Sequence, residues 1–312
     1  MNKITSEKIK RFTAKPSFDE KIILSNNISY PKISVVTPSY NQGEFLERTI
    51  LSVLNQNYPN LEYIIIDGES DDRSVEIIKK YEKYISYWVS EKDKGQGDAL
   101  NKGFSRATGD IIGWQNSDDV YLPGAFRKAV DAFKKNDADI VFGNRLKINE
   151  EEKTSRRFKF TPFYLISYWY CRMSLSNQST FWKRELFSEI GMIDVNLSFI
   201  MDYDFFLRAG IKNKKFEHIE SFLGAFRIHQ GSKTSTFDGK IIKSQHDLLD
   251  KRYGKKGYLK IPFKAYSVLR DSFYYIFKGD FRSLIYLLPF YIKPVFFLIL
   301  LLFLYYLGYD PK

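Results

Sequence analysis

Lys32-Ile33-Ser34-Val35-Val36-Thr37-Pro38 sets the first constraint on this chain. The run is short, rich in β-branched residues and stopped by proline, so it reads as a buried strand. Two similar runs follow, Leu61-Glu62-Tyr63-Ile64-Ile65-Ile66-Asp67 and Asp110-Ile111-Ile112-Gly113-Trp114. Between the first two, residues 44–55 place Leu46, Ile50, Leu51 and Leu54 at helical spacing. Residues 74–84 predict a helix carrying Val75, Ile77 and Ile78, and 85–89 a short strand. Residues 98–107 predict a helix closed by Gly109, 123–135 another helix, and 138–143 a strand. This alternation implies an α/β fold: a mainly parallel sheet covered by helices on both faces, joined by right-handed crossovers.

Beyond residue 143 the pattern is less regular. Residues 158–170 are strongly aromatic and suit a core hairpin, an acceptor-facing surface or a membrane-facing patch. Residues 178–182 and 221–229 read as strands; 183–190, 201–209 and 240–251 read as helices. A chain of 312 residues accommodates one large α/β domain with an appendage. The single cysteine, Cys171, rules out an internal disulfide framework and a Cys-rich zinc site, which fits a reducing compartment. Residues 1–11 are polar and do not read as a secretory signal.

The composition changes again near residue 258, where basic and aromatic residues interleave. Residues 284–307 are then almost wholly apolar, interrupted by Lys293, Pro289 and Pro294. A membrane helix needs ~20 apolar residues, so this run reads as a membrane attachment, spanning, re-entrant or interfacial, with a core helix as the alternative. Basic residues precede it and few follow, which puts the N-terminal domain on the cytoplasmic side of an inner membrane. The expected organisation is an N-terminal extension (1–31), a sheet domain (32–250), a basic aromatic linker or interfacial helices (251–283) and a hydrophobic membrane segment (284–307). The net charge of +11 is the sole pointer to nucleic acid, and much of it borders the apolar tail, so no nucleic-acid partner is expected. A homo-oligomer is left open.

The chemistry gathers where strands end. Trp114-Gln115-Asn116-Ser117-Asp118-Asp119 puts two acids at the end of a buried strand, costly unless paired, at the position where open α/β sheets bind ligands. One or two carboxylates with a substrate diphosphate would hold Mg2+ or Mn2+. The alternative is helix capping ahead of Pro123, which suits Asp119 better than Asp118. Asp67 could accept from a nucleobase or ribose, or cap the next helix in competition with Ser70, Asp71 and Asp72. Tyr40 suits stacking on a base or covering the sheet end. Gly95-Gln96-Gly97 lacks the third glycine of a dinucleotide fingerprint, with Leu100 in its place, and no P-loop is present. Asp202 and Asp204 point roughly 200° apart on a helix, so only one faces a site as a general base. The alternative for that pair is stabilisation of a helix start. His229 stands among hydroxyls and basic residues, which suits a metal–phosphate shell or a solvated loop.

Four stretches together resemble the inverting family 2 glycosyltransferases: Val35-Val36-Thr37-Pro38-Ser39-Tyr40-Asn41 with Leu54-Asn55-Gln56-Asn57-Tyr58-Pro59; Glu62-Tyr63-Ile64-Ile65-Ile66-Asp67-Gly68-Glu69-Ser70-Asp71-Asp72; Gly109-Asp110-Ile111-Ile112-Gly113-Trp114-Gln115-Asn116-Ser117-Asp118-Asp119; and Met201-Asp202-Tyr203-Asp204-Phe205-Phe206-Leu207-Arg208. The resemblance covers roughly residues 32–235. It implies an A-type glycosyltransferase fold on a Rossmann-like sheet, a nucleotide-diphosphate sugar donor and a divalent metal (Mn2+ or Mg2+). By this resemblance Tyr40 stacks on the base and Asp67 binds it. Thr37, Pro38, Asn116 and Ser117 join the donor-binding set, and Asp98 and Gln178 are donor- or acceptor-side contacts. The family's Asp-x-Asp motif matches Asn116-Ser117-Asp118, an asparagine replacing its first acid, so Asp118 carries the metal contact; His229 joins it as a metal candidate on its own surroundings and not on the resemblance. The family's Glu-Asp base motif matches Met201-Asp202, which makes Asp202 the first choice of base and Asp204 the second. Membrane attachment suggests a lipid-linked saccharide acceptor in surface polysaccharide assembly, including lipopolysaccharide. The two departures leave a second reading, a nucleotide-sugar-binding scaffold without turnover.

Overall fold

The computed structural model describes residues 4–171, 175–233, 235, 239–254, 270 and 274. The chain divides into two compact units, residues 1–160 with 175–246, and residues 161–174 with 247–312.

The first unit is built on a nine-stranded sheet. Its first half follows the sequence pattern. Strands β1 (Ile33–Ser39) and β2 (Leu61–Asp67) are buried at every position. They pair in parallel, with β4 (Ile111–Trp114) on the other side of β1 and β3 (Tyr87–Ser90) on the other side of β2. Side chains alternate between two covered faces. Ile33, Val35, Tyr63 and Ile65 share a core with Leu46, Ile50 and Leu54 of α3 (Leu46–Leu54). Val36 and Ile66 face α5 (Gln96–Arg106), where Gly103 lets the helix approach; a Cβ there would fall 2.3 Å from Val36 Cγ1. Helices α4 (Ser74–Lys80) and α6 (Ala125–Asn136) complete the flanking layers.

The second half corrects the expectation of a mainly parallel sheet. Strand β8 (Thr180–Lys183) inserts antiparallel between β4 and β6 (Ile140–Ile148). Strand β9 (Phe216–Arg227) runs parallel to β6 and antiparallel to the short β5 (Val120–Tyr121), while β7 (Thr154–Phe158) forms an antiparallel hairpin with β6. Strand β6 continues past the predicted end at Gly143 by burying alternate residues. Leu146 and Ile148 are buried, whereas Arg145 and Lys147 are half-buried. Gly224 of β9 passes so close to the backbone before β8 that a Cβ would lie 1.8 Å from the Gln178 carbonyl oxygen.

Two N-terminal helices, α1 (Ser6–Thr13) and α2 (Glu20–Ile23), pack into this unit. Ile9 is fully buried against Val120, Leu122, Leu146, Ile148 and Ala225, and Ile23 joins the main core. Further along lie α8 (Leu186–Ile190) and α9 (Met201–Ile211). Helix α10 (Gly239–Arg252) runs from the first unit into the second.

The second unit contains α7 (Leu165–Cys171). The aromatic stretch 158–170 is therefore a strand end and a helix rather than a hairpin. Among the described residues no helix is long and apolar enough to cross a membrane. The predicted hydrophobic segment 284–307, and all of the basic linker 251–283 except 251–254, 270 and 274, lie outside the described residues.

Candidate active site

The register of the parallel strands brings Ser39, Asp67 and Ser90 side by side at one edge. Asp67 is wholly buried. It accepts from the Ser70 amide (2.9 Å), the Ser70 hydroxyl (2.6 Å) and the Ser90 hydroxyl (2.7 Å). Asp67 therefore shapes its own loop rather than capping α4, whose first amide, that of Ser74, is taken by Asp72. Asp72 ties this loop to the preceding one, accepting from the amides of Gly43 (2.7 Å) and Ser74 (2.8 Å). Above these loops Tyr40 is 62% exposed, with its ring crossing Gly68. An open aromatic face over a fixed carboxylate is what base stacking requires. Thr37 and Pro38 do not open onto this edge: both are buried in β1, and the Thr37 hydroxyl engages Tyr63 at 3.2 Å.

After β4 the chain turns through the acidic stretch. Asn116 Oδ1 accepts from Trp114 Nε1 (2.7 Å) and Gln96 Nε2 (2.9 Å), while Asn116 Nδ2 donates to Asp119 Oδ2 (3.1 Å). This accounts for an amide where an acid was expected: an ionised aspartate could accept but not donate to Asp119. The Ser117 and Asp119 carbonyls accept from the Thr49 hydroxyl.

Asp119 corrects the capping expectation. Helix α6 is preceded by Gly124 in a left-handed conformation and has no side-chain cap. Asp119 is instead fully buried, accepting from Gln178 Nε2 (2.7 Å) and the Arg227 amide (2.8 Å) as well as Asn116. Burial, then the charge of Asp118, holds its carboxyl well above the usual range despite those donors. Gln178 is consumed in this role, and its Oε1 accepts from the Ser176 hydroxyl.

Asp118 keeps its carboxylate free of these ties. Its Oδ2 lies 3.1 Å from His229 Nε2, with side chains 16% and 5% exposed respectively. The His229 ring packs on Phe45, centroids 4.3 Å apart. A cleft of about 560 Å3, lined in part by Glu150, His229, Gln230 and Ser235, opens beside it. A carboxylate oxygen here suits Mn2+ or Mg2+, and the converging imidazole nitrogen favours the transition metal of the two. Among the described residues no three His, Cys, Asp or Glu side chains cluster as a metal cage. A cation here would complete its shell from substrate and water, as Mg2+ does at diphosphates.

The two base candidates separate on α9. Asp204 is buried and accepts from Arg208 Nε at 2.8 Å. Arg208 also donates to the carbonyls of Ile190, Gly191 and Met192, so Asp204 belongs to a structural strut rather than to the site. Asp202 accepts the Tyr203 amide at 2.8 Å. Burial pushes its carboxyl up to about 6 against that bond and the charges of Arg145 and Lys233.

Arg145 is one residue that sequence reasoning missed. Its guanidinium lies between Phe158 (4.7 Å) and Phe226 (5.2 Å), donates to Ser176 Oγ (3.3 Å), and acts electrostatically on both Asp119 and Asp202. The only available signal was its alternation with buried Leu146 and Ile148. Lys233 Nζ reaches Gln96 Oε1 at 3.2 Å, and Gln96 in turn holds Asn116. Asp98 folds onto its own loop, accepting the Lys94 amide at 3.1 Å. The structure thus assembles Asn116, Asp118, Asp119, Gln178 and His229, keeps Tyr40 with Asp67, and turns Thr37 and Asp204 inward.

Comparison with known proteins bears on the family and the fold. A family model described as glycosyl transferase family 2 matches residues 34–205. An uncharacterized glycosyltransferase of Mycobacterium tuberculosis is 32% identical over 186 residues, covering 59% of this chain and 70% of its own length. One from Methanocaldococcus jannaschii is 30% identical over 207 residues, 64% of this chain and 71% of its own. Among solved structures, S. aureus TarS 1–349 in complex with UDP-GlcNAc superposes with a TM-score of 0.57 at 18% identity, over 66% of this chain and 61% of that one. The mannosyltransferase PcManGT from Pyrobaculum calidifontis, in complex with GDP-Man and Mn2+, superposes with a TM-score of 0.53 at 15% identity, over 74% and 66%. At these identities the superpositions speak for the fold.

Proposed function

This chain belongs to glycosyl transferase family 2, and we propose that it transfers a sugar, with inversion, from a nucleotide-diphosphate sugar to an acceptor hydroxyl. The observation that carries this reading is the division of labour among its acids. Asp67 shapes the loop under an exposed aromatic, Asp119 is buried, and Asp118 faces His229 with its carboxylate unspent.

In this reading Tyr40 stacks on the base above the Asp67 loop, and Asn116 lies toward the ribose. Asp118 and His229 would hold a divalent cation, which would supply charge stabilisation for the departing diphosphate. Asp202 accepts the proton of the acceptor hydroxyl as that oxygen attacks the anomeric carbon opposite the diphosphate. Burial supports this role by bringing its carboxyl to about 6, nearer the operating range of a general base. The bound donors of the two superposed structures, UDP-GlcNAc and GDP-Man, support a nucleotide-sugar donor.

We further propose a lipid-linked saccharide acceptor at the cytoplasmic face of a membrane, in surface polysaccharide assembly. This rests on the sequence alone, the basic aromatic stretch leading into the apolar run 284–307. Membranes containing the protein, incubated with labelled nucleotide sugars and lipid-linked acceptors with and without Mn2+, test both parts. Labelled lipid product that needs Mn2+ is the expected result. Donor binding without product from any acceptor would instead favour a non-catalytic scaffold.

A further inference from the structure

Glu152 occupies an unfavourable position. It lies in the turn between β6 and β7 with φ of +62°, a left-handed conformation, and is fully buried. A non-glycine residue in this conformation is held there only by its surroundings, and a buried carboxylate needs partners. Its partners come from three distant segments. Thr13 Oγ1 of α1 lies 2.9 Å from each carboxylate oxygen, Arg48 Nη1 of α3 donates at 3.2 Å, and Arg227 Nη2 at the end of β9 donates at 3.0 Å.

Arg227, itself wholly buried, carries this anchorage into the site. Its Nε donates to the Asp118 carbonyl (2.7 Å), its amide donates to Asp119 Oδ1 (2.8 Å), and its Nη1 donates to the Glu150 carbonyl (3.1 Å). The guanidinium lies over Phe45 at 5.1 Å, the ring against which His229 packs. One side chain therefore contacts the backbone of Asp118, stands two residues before His229, and shares a wall with its imidazole.

We propose that Thr13, Glu152 and Arg227 are positioning residues for the cation and diphosphate, and that helix α1 is through them a working part of the donor site. The inference rests on the reading of Asp118 and His229 as the metal pair. Glu152 fixes the guanidinium, the guanidinium fixes the Asp118 carbonyl, and the spacing between Asp118 and His229 follows. Thr13 sets Glu152 from a helix that precedes the family-matched region 34–205.

The test uses the full chain and Mn2+ binding, read by the EPR signal of free Mn2+, alone and with UDP or GDP. Thr13→Val is nearly isosteric and removes one hydroxyl; Thr13→Ser restores it. Glu152→Gln keeps the shape and removes the charge. Each variant is first shown to melt cooperatively, and binding is measured far below its melting temperature, where a purely structural loss would not register. Outer partners of metal ligands typically carry roughly 10-fold or more in affinity. Thr13→Val and Glu152→Gln are expected to weaken Mn2+ binding by about that factor, and Thr13→Ser to bind as wild type. If Glu152→Gln fails to fold, the Thr13 pair decides. Wild-type affinity in folded Thr13→Val overturns the positioning role while leaving the metal pair intact. A wild-type protein that binds no Mn2+ with either nucleotide overturns the metal pair and this inference together.

Discussion

Arg227 holds Asp118 by its backbone: Nε reaches the carbonyl oxygen at 2.7 Å, and the carboxylate is left to His229 at 3.1 Å. Had the guanidinium taken the carboxylate, a buried ion pair would compete with any cation for the same oxygens. Positioning through the main chain keeps the ligand oxygens available.

Replacing either member of that pair should remove the cation. Asp118→Ala and His229→Asn are each expected to weaken Mn2+ binding at least about tenfold. Both should stay folded, because neither side chain supports the buried network around Asp119. Titration of Mn2+ with UDP or GDP present checks this; unchanged affinity in Asp118→Ala would sink the site.

Asp202 and Asp204 should part company when mutated. Asp202→Asn is expected to lower kcat by ~10²–10⁴. Its folded value of about 6 lies above the ordinary 3.8, so wild-type Asp202 costs stability progressively as pH rises from 3.8 to 6. The asparagine variant should therefore melt no lower than wild type at pH 7.5. Asp204→Ala instead leaves Arg208 without its carboxylate and should cost about 3–5 kcal/mol. Melting curves beside kcat separate the two; a stable, inactive Asp204→Ala would reverse the assignment.

The pH profile should carry the same signature. A base must be deprotonated, so kcat/KM is expected to fall on the acid side below about 6. Arg145 lowers the Asp202 value by its charge. Arg145→Met should therefore move the acid limb to higher pH. A limb that stays in place would show that Arg145 does not act on the base.

Tyr40 offers a simpler check on donor recognition. Base stacking is worth ~1–3 kcal/mol, so Tyr40→Ala should raise the donor KM about 5- to 150-fold. Tyr40→Phe keeps the π-face and should remain close to wild type. Equal donor KM in all three proteins would remove Tyr40 from the site.

The parts of this architecture that can be read from sequence are those in which chemistry and burial agree. β1, β2 and β4 announce themselves because both faces are covered and β-branched, aromatic and other apolar residues dominate each run. The later part of β6 and all of β7 do not, since Arg145, Lys147, Arg156 and Arg157 break the run on a half-covered surface. The antiparallel insertion of β8 is a matter of pairing order, which periodicity does not encode. Within the site, the Trp114–Asp119 stretch is visible as acids at a strand end, but the roles of its members are not. Asp119 looks like a helix cap until Gln178 and Arg227 arrive from 59 and 108 residues away. Glu152 and Arg227 resemble ordinary solvated charges in a loop and at a strand end; only the tertiary fold reveals them as buried partners.

The hydrogen bonds that join Thr13 to Glu152 and Arg227 to Asp118 span 139 and 109 residues of chain. Contacts between such distant segments form late, because each must first close a long loop. Donor recognition is thus a late acquisition during folding. A nascent chain with its parallel half-sheet already in place has no fixed Asp118 until β9 has emerged and docked. A donor nucleotide that needs these contacts therefore stabilises only the finished molecule.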